Sequence, residues 1–350
     1  MAGRVAGRVV TLDDVAAEAG VSLATASRVL NGGNRRVRPE LSERVRQAAA
    51  ALKYLPNAPA QAMARGRTDT VGLVVADIAD PYFSTIAAGL ISEAERQGLL
   101  VSIACTLHHA EREPSYVATL RGQHARAAIL VGSRTSDRRL ASRLKAELAA
   151  FEAAGGRIVL VSQATLPFDT VVVDNVTGAR ALADSLHELG YRSFAVLAGP
   201  AELITCQERV TGFRRGLSTY GVEIPEEHVV YGAFTRDGGY AAMNELLDRG
   251  IEADCIFAVN DIMAVGGITA LRERGVRTPD DVAIAGFDDV AQLRDVTPSL
   301  TTVHLALEEL GALALELALQ PRAERPRVRR FRGELVVRES TPERPERSVG

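Results

Sequence analysis

The 350-residue sequence has no tryptophan, three cysteines and only 5% aromatic residues. So few cysteines exclude a disulfide-stapled fold. Cys105, Cys206 and Cys255 stand far apart with neither a CxxC pair nor metal-ligand spacing, which predicts buried free thiols in a reducing compartment. No apolar run reaches the length of a membrane-spanning helix, and residues 1–10 lack the apolar core of a signal peptide. A cytoplasmic protein without a membrane partner is therefore expected. The phosphate-cradling loop with its terminal Lys-Ser/Thr, GxGxxG after a strand, GxSxG and a metal-spaced histidine pair are all missing. These absences leave no support for an enzyme, a cofactor or a metal. His108 and His109 read as an exposed loop pair, and Asp288-Asp289 without further ligands is no metal site.

What is present is unevenly distributed. The net charge is −3, yet residues 1–67 hold eleven Lys and Arg against five Asp and Glu, while the rest holds thirty against thirty-nine. A basic head on an acidic body suits a DNA-binding module joined to a regulatory domain.

Within that head, residues 11–31 read as two short helices around a sharp break. Thr11 is a good N-cap with Asp14 in capping-box position, and Leu12, Val15, Ala16 and Ala19 make one apolar stripe. Gly20 supplies a left-handed residue to end the first helix, and Ser22 caps the second. Ala26, Val29 and Leu30 then face inward, leaving Leu23, Ala24, Thr25, Ser27 and Arg28 outward. That spacing fits a helix-turn-helix, whose second helix enters the major groove, and equally an αα-hairpin in a bundle.

The wording decides between them. VTLDDVAAEAGVSLATASRVLN, continued by ALKYLPNAPAQAMAR at 51–65, resembles the DNA-binding headpiece of the lactose/galactose repressor (LacI/GalR) family over more than fifty residues. The resemblance implies a dimeric, ligand-responsive regulator, most often a repressor, on a near-palindromic double-stranded operator. Leu23 and Ala24 match its principal base-reading positions; being apolar, they suit thymine methyls, and Arg28 can reach a guanine edge. Thr11, Ser22, Thr25, Ser27 and Asn31 are suited to phosphates. In the family the loop at 31–38 is usually shorter and a serine cap precedes the proline, where this chain has Arg38. Arg35, Arg36 and Arg38 either contact phosphates or stand in solvent. The third helix starts near Pro39, with Leu41, Val45, Ala48, Ala49 and Leu52 inward. The stretch around Asn57, Ala60 and Met63 matches the family's hinge helix, too short to be stable alone. Met63 takes the place of the usual leucine that wedges into the minor groove.

From residue 71 apolar strands alternate with helical stretches. Strands are expected at 71–76, 99–104, 127–131, 157–161, 170–173, 193–197, 229–231, 255–258, 282–285 and 301–303. Helices are expected at 82–97, 138–154, 175–189, 209–220, 238–249 and 261–274. Such runs make parallel sheets covered on both faces, too many strands for one sheet and so two lobes. The family implies a type I periplasmic-binding-protein-like core. The expected organisation is a flexible arm at 1–8, headpiece 9–56, hinge and linker 57–70, two-lobed body 71–340 and tail 341–350. Crossings near 172, 292 and 323 assign 71–172 and 292–322 to the N-lobe, 173–291 and 323–340 to the C-lobe. The tail lacks leucine heptads, so a tetramerising coiled coil is not supported.

Ligands of open parallel sheets bind beyond the carboxyl ends of the strands. Tyr82 and Phe83 follow the first strand as stacking candidates, and Phe234 matches a family aromatic flanking the ligand. Arg209 matches an arginine that forks to the effector in relatives; Thr205, Asn260 and Asp288 complete the set. Asp261 and Asp289 are expected to cap the helices that follow. An Arg, an Asn, an Asp and aromatic walls suit a small polyhydroxylated effector, probed best as a sugar. The same pocket suits a nucleoside or purine, and some relatives answer to a phosphocarrier co-repressor. A transporter's sugar-binding protein shares the core fold but has no basic head.

Overall fold

The computed structural model describes residues 10–31, 37–54, 67–291 and 295–344. The chain forms two compact units, residues 1–68 and 69–350.

The first unit is three helices, α1 (Leu12–Glu18), α2 (Leu23–Asn31) and α3 (Pro39–Ala51). Thr11 and Asp14 close the reciprocal capping box that opens α1. Gly20, at φ +61°, turns the chain, and Val21 N–H bonds back to Ala16 O at 2.9 Å. Arg44 from α3 donates to Ala19 O at 2.6 Å, satisfying an orphan carbonyl at the end of α1. Val15, Ala26 and Val45 are fully buried and Ala16, Ala19, Ala48 and Ala49 nearly so, with Leu12, Val29, Leu30 and Leu52 packed around them. Alanines let three short helices approach closely. Arg38 provides no side-chain cap for α3, as its missing serine predicts.

The second unit holds two parallel sheets and a short antiparallel pair. The first sheet contains β1 (Thr70–Val75), β2 (Leu100–Cys105), β3 (Ala127–Val131), β4 (Arg157–Val161), β5 (Asp169–Val173) and β11 (Val328–Phe331), in the order β11-β5-β4-β3-β1-β2. The second contains β6 (Phe194–Ala198), β7 (Val229–Tyr231), β8 (Cys255–Ala258) and β9 (Ala283–Ala285), in the order β7-β6-β8-β9. β10 (Thr302–His304) pairs antiparallel with β12 (Glu334–Val336). Helices α4 (Pro81–Arg96), α5 (Glu113–Gly122), α6 (Arg138–Ala153) and α11 (Leu307–Leu319) pack with the first sheet or with each other. Helices α7 (Asn175–Glu188), α8 (Ile204–Ser218), α9 (Arg236–Asp248) and α10 (Asp261–Glu273) belong with the second. Central strands β3, β6 and β8 are buried at every position, as parallel strands covered on both faces must be.

Several expectations change. β11 lies in the first sheet beside β5, although 323–340 was assigned to the C-lobe; its arginines hide a strand that only pairing reveals. Thr301, next to β10, bridges to Ala285 of the second sheet, so 295–304 does not belong with the first. The chain therefore crosses between β5 and α7, between β10 and α11, and between β11 and β12. Strand β2 is an edge with exposed Leu100 (69%) and Ile103 (39%), not covered on both faces. Helix α8 starts at Ile204, so Arg209 sits inside it. The body also extends past 340: Ser340 and Thr341 are fully buried, Tyr191 donates to Pro342 O, and Arg344 pairs with Asp254 at 2.8 Å. Cys206 and Cys255 are buried free thiols, but Cys105 is only partly covered.

Candidate functional site

On the headpiece, the start of α2 is presented as a helix-turn-helix requires. Ser22 Oγ accepts from Thr25 N–H at 3.2 Å and lies 2.9 Å from Thr25 Oγ1, which fixes the first turn. Leu23 is 46% exposed, and Ala24 and Arg28 are exposed. Thr25 and Ser27 are half-buried. Thr11 Oγ1 donates to Asp14 Oδ2 at 2.8 Å, so its hydroxyl already serves the cap. Arg38 is exposed at the start of α3. The side chain of Asn31, and Arg35, Arg36, Asn57, Ala60 and Met63 entirely, lie outside the described residues.

In the body, a cavity of about 360 Å³ opens at the carboxyl ends of both sheets. All seven expected residues line it: Tyr82, Phe83, Thr205, Arg209, Phe234, Asn260 and Asp288. Tyr82 and Phe83 meet edge to face with centroids 5.1 Å apart, and Phe83 is the more deeply buried of the two. Phe234 packs where Gly199 leaves room; a Cβ there would stand 2.7 Å from its ring and 2.5 Å from Cys206 Sγ.

Arg209 is almost fully buried, and its fork is held by the protein. Nε donates to Asn175 Oδ1 at 2.9 Å, Nη1 to Val259 O at 2.7 Å and Nη2 to Asp288 Oδ1 at 2.7 Å. Its guanidinium also lies 3.9 Å above the Phe287 ring. Two of its five N–H groups are left for a ligand, and Asp288 keeps spare acceptor capacity. Asp288 has φ +118° and Asp289 +54°, a strained pair of the kind that gathers at functional sites. Burial pushes the Asp288 carboxyl up to about 6 against the pull of Arg209. Asp80 also reaches about 6, through burial and despite its bond from Tyr82 N–H. Burial likewise raises the Tyr82 phenol, with the Asp288 charge adding to it.

One capping role is redistributed. Asn260 caps α10, accepting from Met263 N–H at 2.9 Å, which leaves its amide nitrogen for the pocket. Asp261 instead accepts from Val290 N–H at 3.0 Å and Thr302 Oγ1 at 2.6 Å, tying α10 to β10. Asp289 accepts from His304 at 2.9 Å and Arg338 at 2.7 Å.

Sequence reasoning missed Asp80, His108, Glu113, Gln163 and Asn175, which also line the cavity. Gln163 and Asn175 follow β4 and β5, so the carboxyl-end rule alone would have found them. Glu113 opens α5 and carries no such signal. His108 is exposed as expected, yet it reaches the cavity rim. Thr205 accepts from Gln163 Nε2 at 2.9 Å, and its N–H bonds Ser133 Oγ at 3.0 Å, so it joins the two sheets' loops. Among the described residues no cluster of His, Cys, Asp or Glu is arranged to hold a metal, and no helix is long and apolar enough to cross a membrane.

A helix-turn-helix unit and a two-sheet body with a ligand-sized cleft define a class of protein: an effector-binding DNA regulator. Residues 11–57 match the model of bacterial regulatory proteins of the lacI family, and residues 183–341 match a periplasmic binding protein-like domain. The transcriptional regulator CelR of Thermobifida fusca is 36% identical over 309 residues, 86% of this chain and 88% of the relative. A solved CelR–cellobiose complex matches at 33% identity and TM-score 0.69, covering 95% of this chain and 99% of that one. The lac repressor dimer bound to operator and the anti-inducer ONPF matches at 26% identity and TM-score 0.83, covering 96% and 100%. The chain belongs to the LacI family and is a DNA-binding transcriptional regulator with an effector-binding domain.

Proposed function

We propose that this regulator is a cytoplasmic homodimeric repressor, not an enzyme, released from or tightened on its operator by a sugar or sugar derivative in the cleft. The observation that carries the effector reading is Arg209 fixed against Asp288, facing Tyr82, Phe83 and Phe234 in one cavity. Planar donors and a carboxylate bracket vicinal hydroxyls, while rings cover the apolar face of a sugar. The relatives support the same class, since one is solved with cellobiose and another with ONPF.

Leu23, Ala24 and Arg28 read bases; Ser22, Thr25, Ser27 and Asn31 hold phosphates, Thr11 serves the cap that positions them, and Met63, with Asn57 and Ala60, wedges at the centre. Dimerisation is supported by exposed apolar Leu100 and Ile103 on β2 and Ile91 on α4, an edge that solvent alone would disfavour. An effector that favours one pairing of the bodies shifts the operator-competent population by its differential affinity. The test selects an operator from random duplexes, then titrates the complex with neutral sugars by fluorescence anisotropy. A palindromic site whose affinity changes at least fivefold with one sugar is expected. A selected site with no symmetry, or no response to any sugar, contradicts the reading.

A further inference from the structure

The cavity is longer than one sugar ring needs. Its lining on the first sheet comes from the carboxyl ends of five adjacent strands, β2, β1, β3, β4 and β5. At about 4.8 Å per strand that is roughly 19 Å of sheet, whereas one pyranose is about one strand spacing wide. The volume of about 360 Å³ falls in the range of ligands larger than a single six-membered ring.

A chain of hydrogen bonds runs through its wall. Glu113 accepts from Arg134 at 2.7 and 2.9 Å, and Arg134 N–H donates to Gln163 at 2.9 Å. Gln163 donates to Glu208 at 3.1 Å, which also accepts from Asn175 at 2.9 Å. Asn175 accepts from Arg209, which reaches Asp288. Both ends are carboxylates fixed by an arginine and nearly excluded from water: side-chain exposure is 7% and 11% for Arg134 and Glu113, 3% and 6% for Arg209 and Asp288. Each carboxylate retains lone pairs for hydroxyl donors. A buried ion pair is a poor source of stability, so the Glu113–Arg134 pair on a cavity wall asks for a use.

The charge of the lining selects further. Asp80, Glu113, Glu202 and Asp288 face the cavity against Arg209, whose fork is largely taken. Among the described lining residues a phosphate would meet these four carboxylates against Arg209, with two N–H groups open, and His108 at the rim.

Resting on the sugar-effector reading, we infer that the effector is a neutral glycoside of two rings, one on Arg209–Asp288 and the other on Glu113, which sets specificity for the second ring. Calorimetric titration of the full-length protein tests this with neutral monosaccharides, each paired with its disaccharides and its 6-phosphate. One disaccharide is expected to bind at least a hundredfold tighter than its component monosaccharide, and the 6-phosphate at least tenfold weaker than that monosaccharide. Glu113→Gln is expected to lower disaccharide affinity about tenfold and monosaccharide affinity less than twofold. Because that variant leaves Arg134 without its partner, Glu113→Gln/Arg134→Gln is measured beside it. If neither folds, the wild-type titration decides. A monosaccharide or a sugar phosphate that binds as tightly as any disaccharide overturns the inference and leaves the sugar reading standing. Binding by no sugar on the panel overturns both.

Discussion

Arg338 holds Asp289 at 2.7 Å, one residue past the Asp288 that faces the effector cavity. His304 of β10 donates to the other oxygen of the same carboxylate. Asp289 thus ties the strained turn behind the site to two of the three segments that cross between the sheets. Arg338→Met removes one partner of a carboxylate that is only 5% exposed. The expected cost is roughly 2–3 kcal/mol, below the fully buried figure because Arg338 keeps some solvent contact. Urea unfolding checks it, and a change under about 0.5 kcal/mol would show that the pair is not holding the turn.

The headpiece is sensitive at Gly20. Its φ of +61° strains any residue with a Cβ, and that Cβ would stand 2.7 Å from Arg44 Nη2. Gly20→Ala is expected to cost the headpiece about 1–2 kcal/mol and to disturb the Arg44 cap on α1. Thermal melting followed by circular dichroism, with operator affinity in parallel, reads both effects.

Arg28 stands exposed on the outward face of α2. Arg28→Ala is expected to weaken specific operator binding by roughly 1–3 kcal/mol and to relax preference at one base pair. Equal affinity for specific and mutated operators before and after the change would remove Arg28 from base reading.

The pH response follows from three carboxyls, of which Asp261 is pushed highest, to about 7, by burial and then by the Asp288 charge. Asp288 and Asp80 both titrate near 6 when folded, above their ordinary 3.8, because burial disfavours the charge. Folded protein therefore holds more protons than unfolded, and the stability these groups contribute is full below about pH 4 and lost as pH rises through 6 and, for Asp261, through 7. Effector binding has the opposite trend, since hydroxyl donors need the ionised Asp288. Affinity is expected to rise from pH 5 to 7 and level off, and Asp288→Asn to flatten that rise. Calorimetric titration across that interval reads it, and a pH-independent affinity in the wild-type protein would rule Asp288 out as the acceptor.

The sequence made local chemistry legible wherever one residue decides it. Thr11, Gly20 and Ser22 define the helix-turn-helix because caps and left-handed turns depend on few atoms. The strands of the buried sheets were plain from their apolar runs. β11 was not: Val328-Arg-Arg-Phe331 reads as a polar linker, and only its pairing with β5 makes it a strand. Seven cavity residues were legible, while Gln163 and Asn175 after β4 and β5 were passed over; Glu113 was hidden because its role depends on Arg134 being brought across from another loop. The cap of α10 passed from Asp261 to Asn260 for a similar reason. Either can cap a helix, and the position of Thr302 and Val290 decides which one does.

The central claim is that Arg209 reads an effector and has no part in the operator contact. The most direct measurement is operator affinity of wild type and Arg209→Ala, with and without the effector found by titration, on protein shown to be folded. The account predicts wild-type operator affinity within about threefold in the variant and no response to the effector at any concentration. A folded variant that loses operator binding, or one that still responds as wild type does, would contradict it.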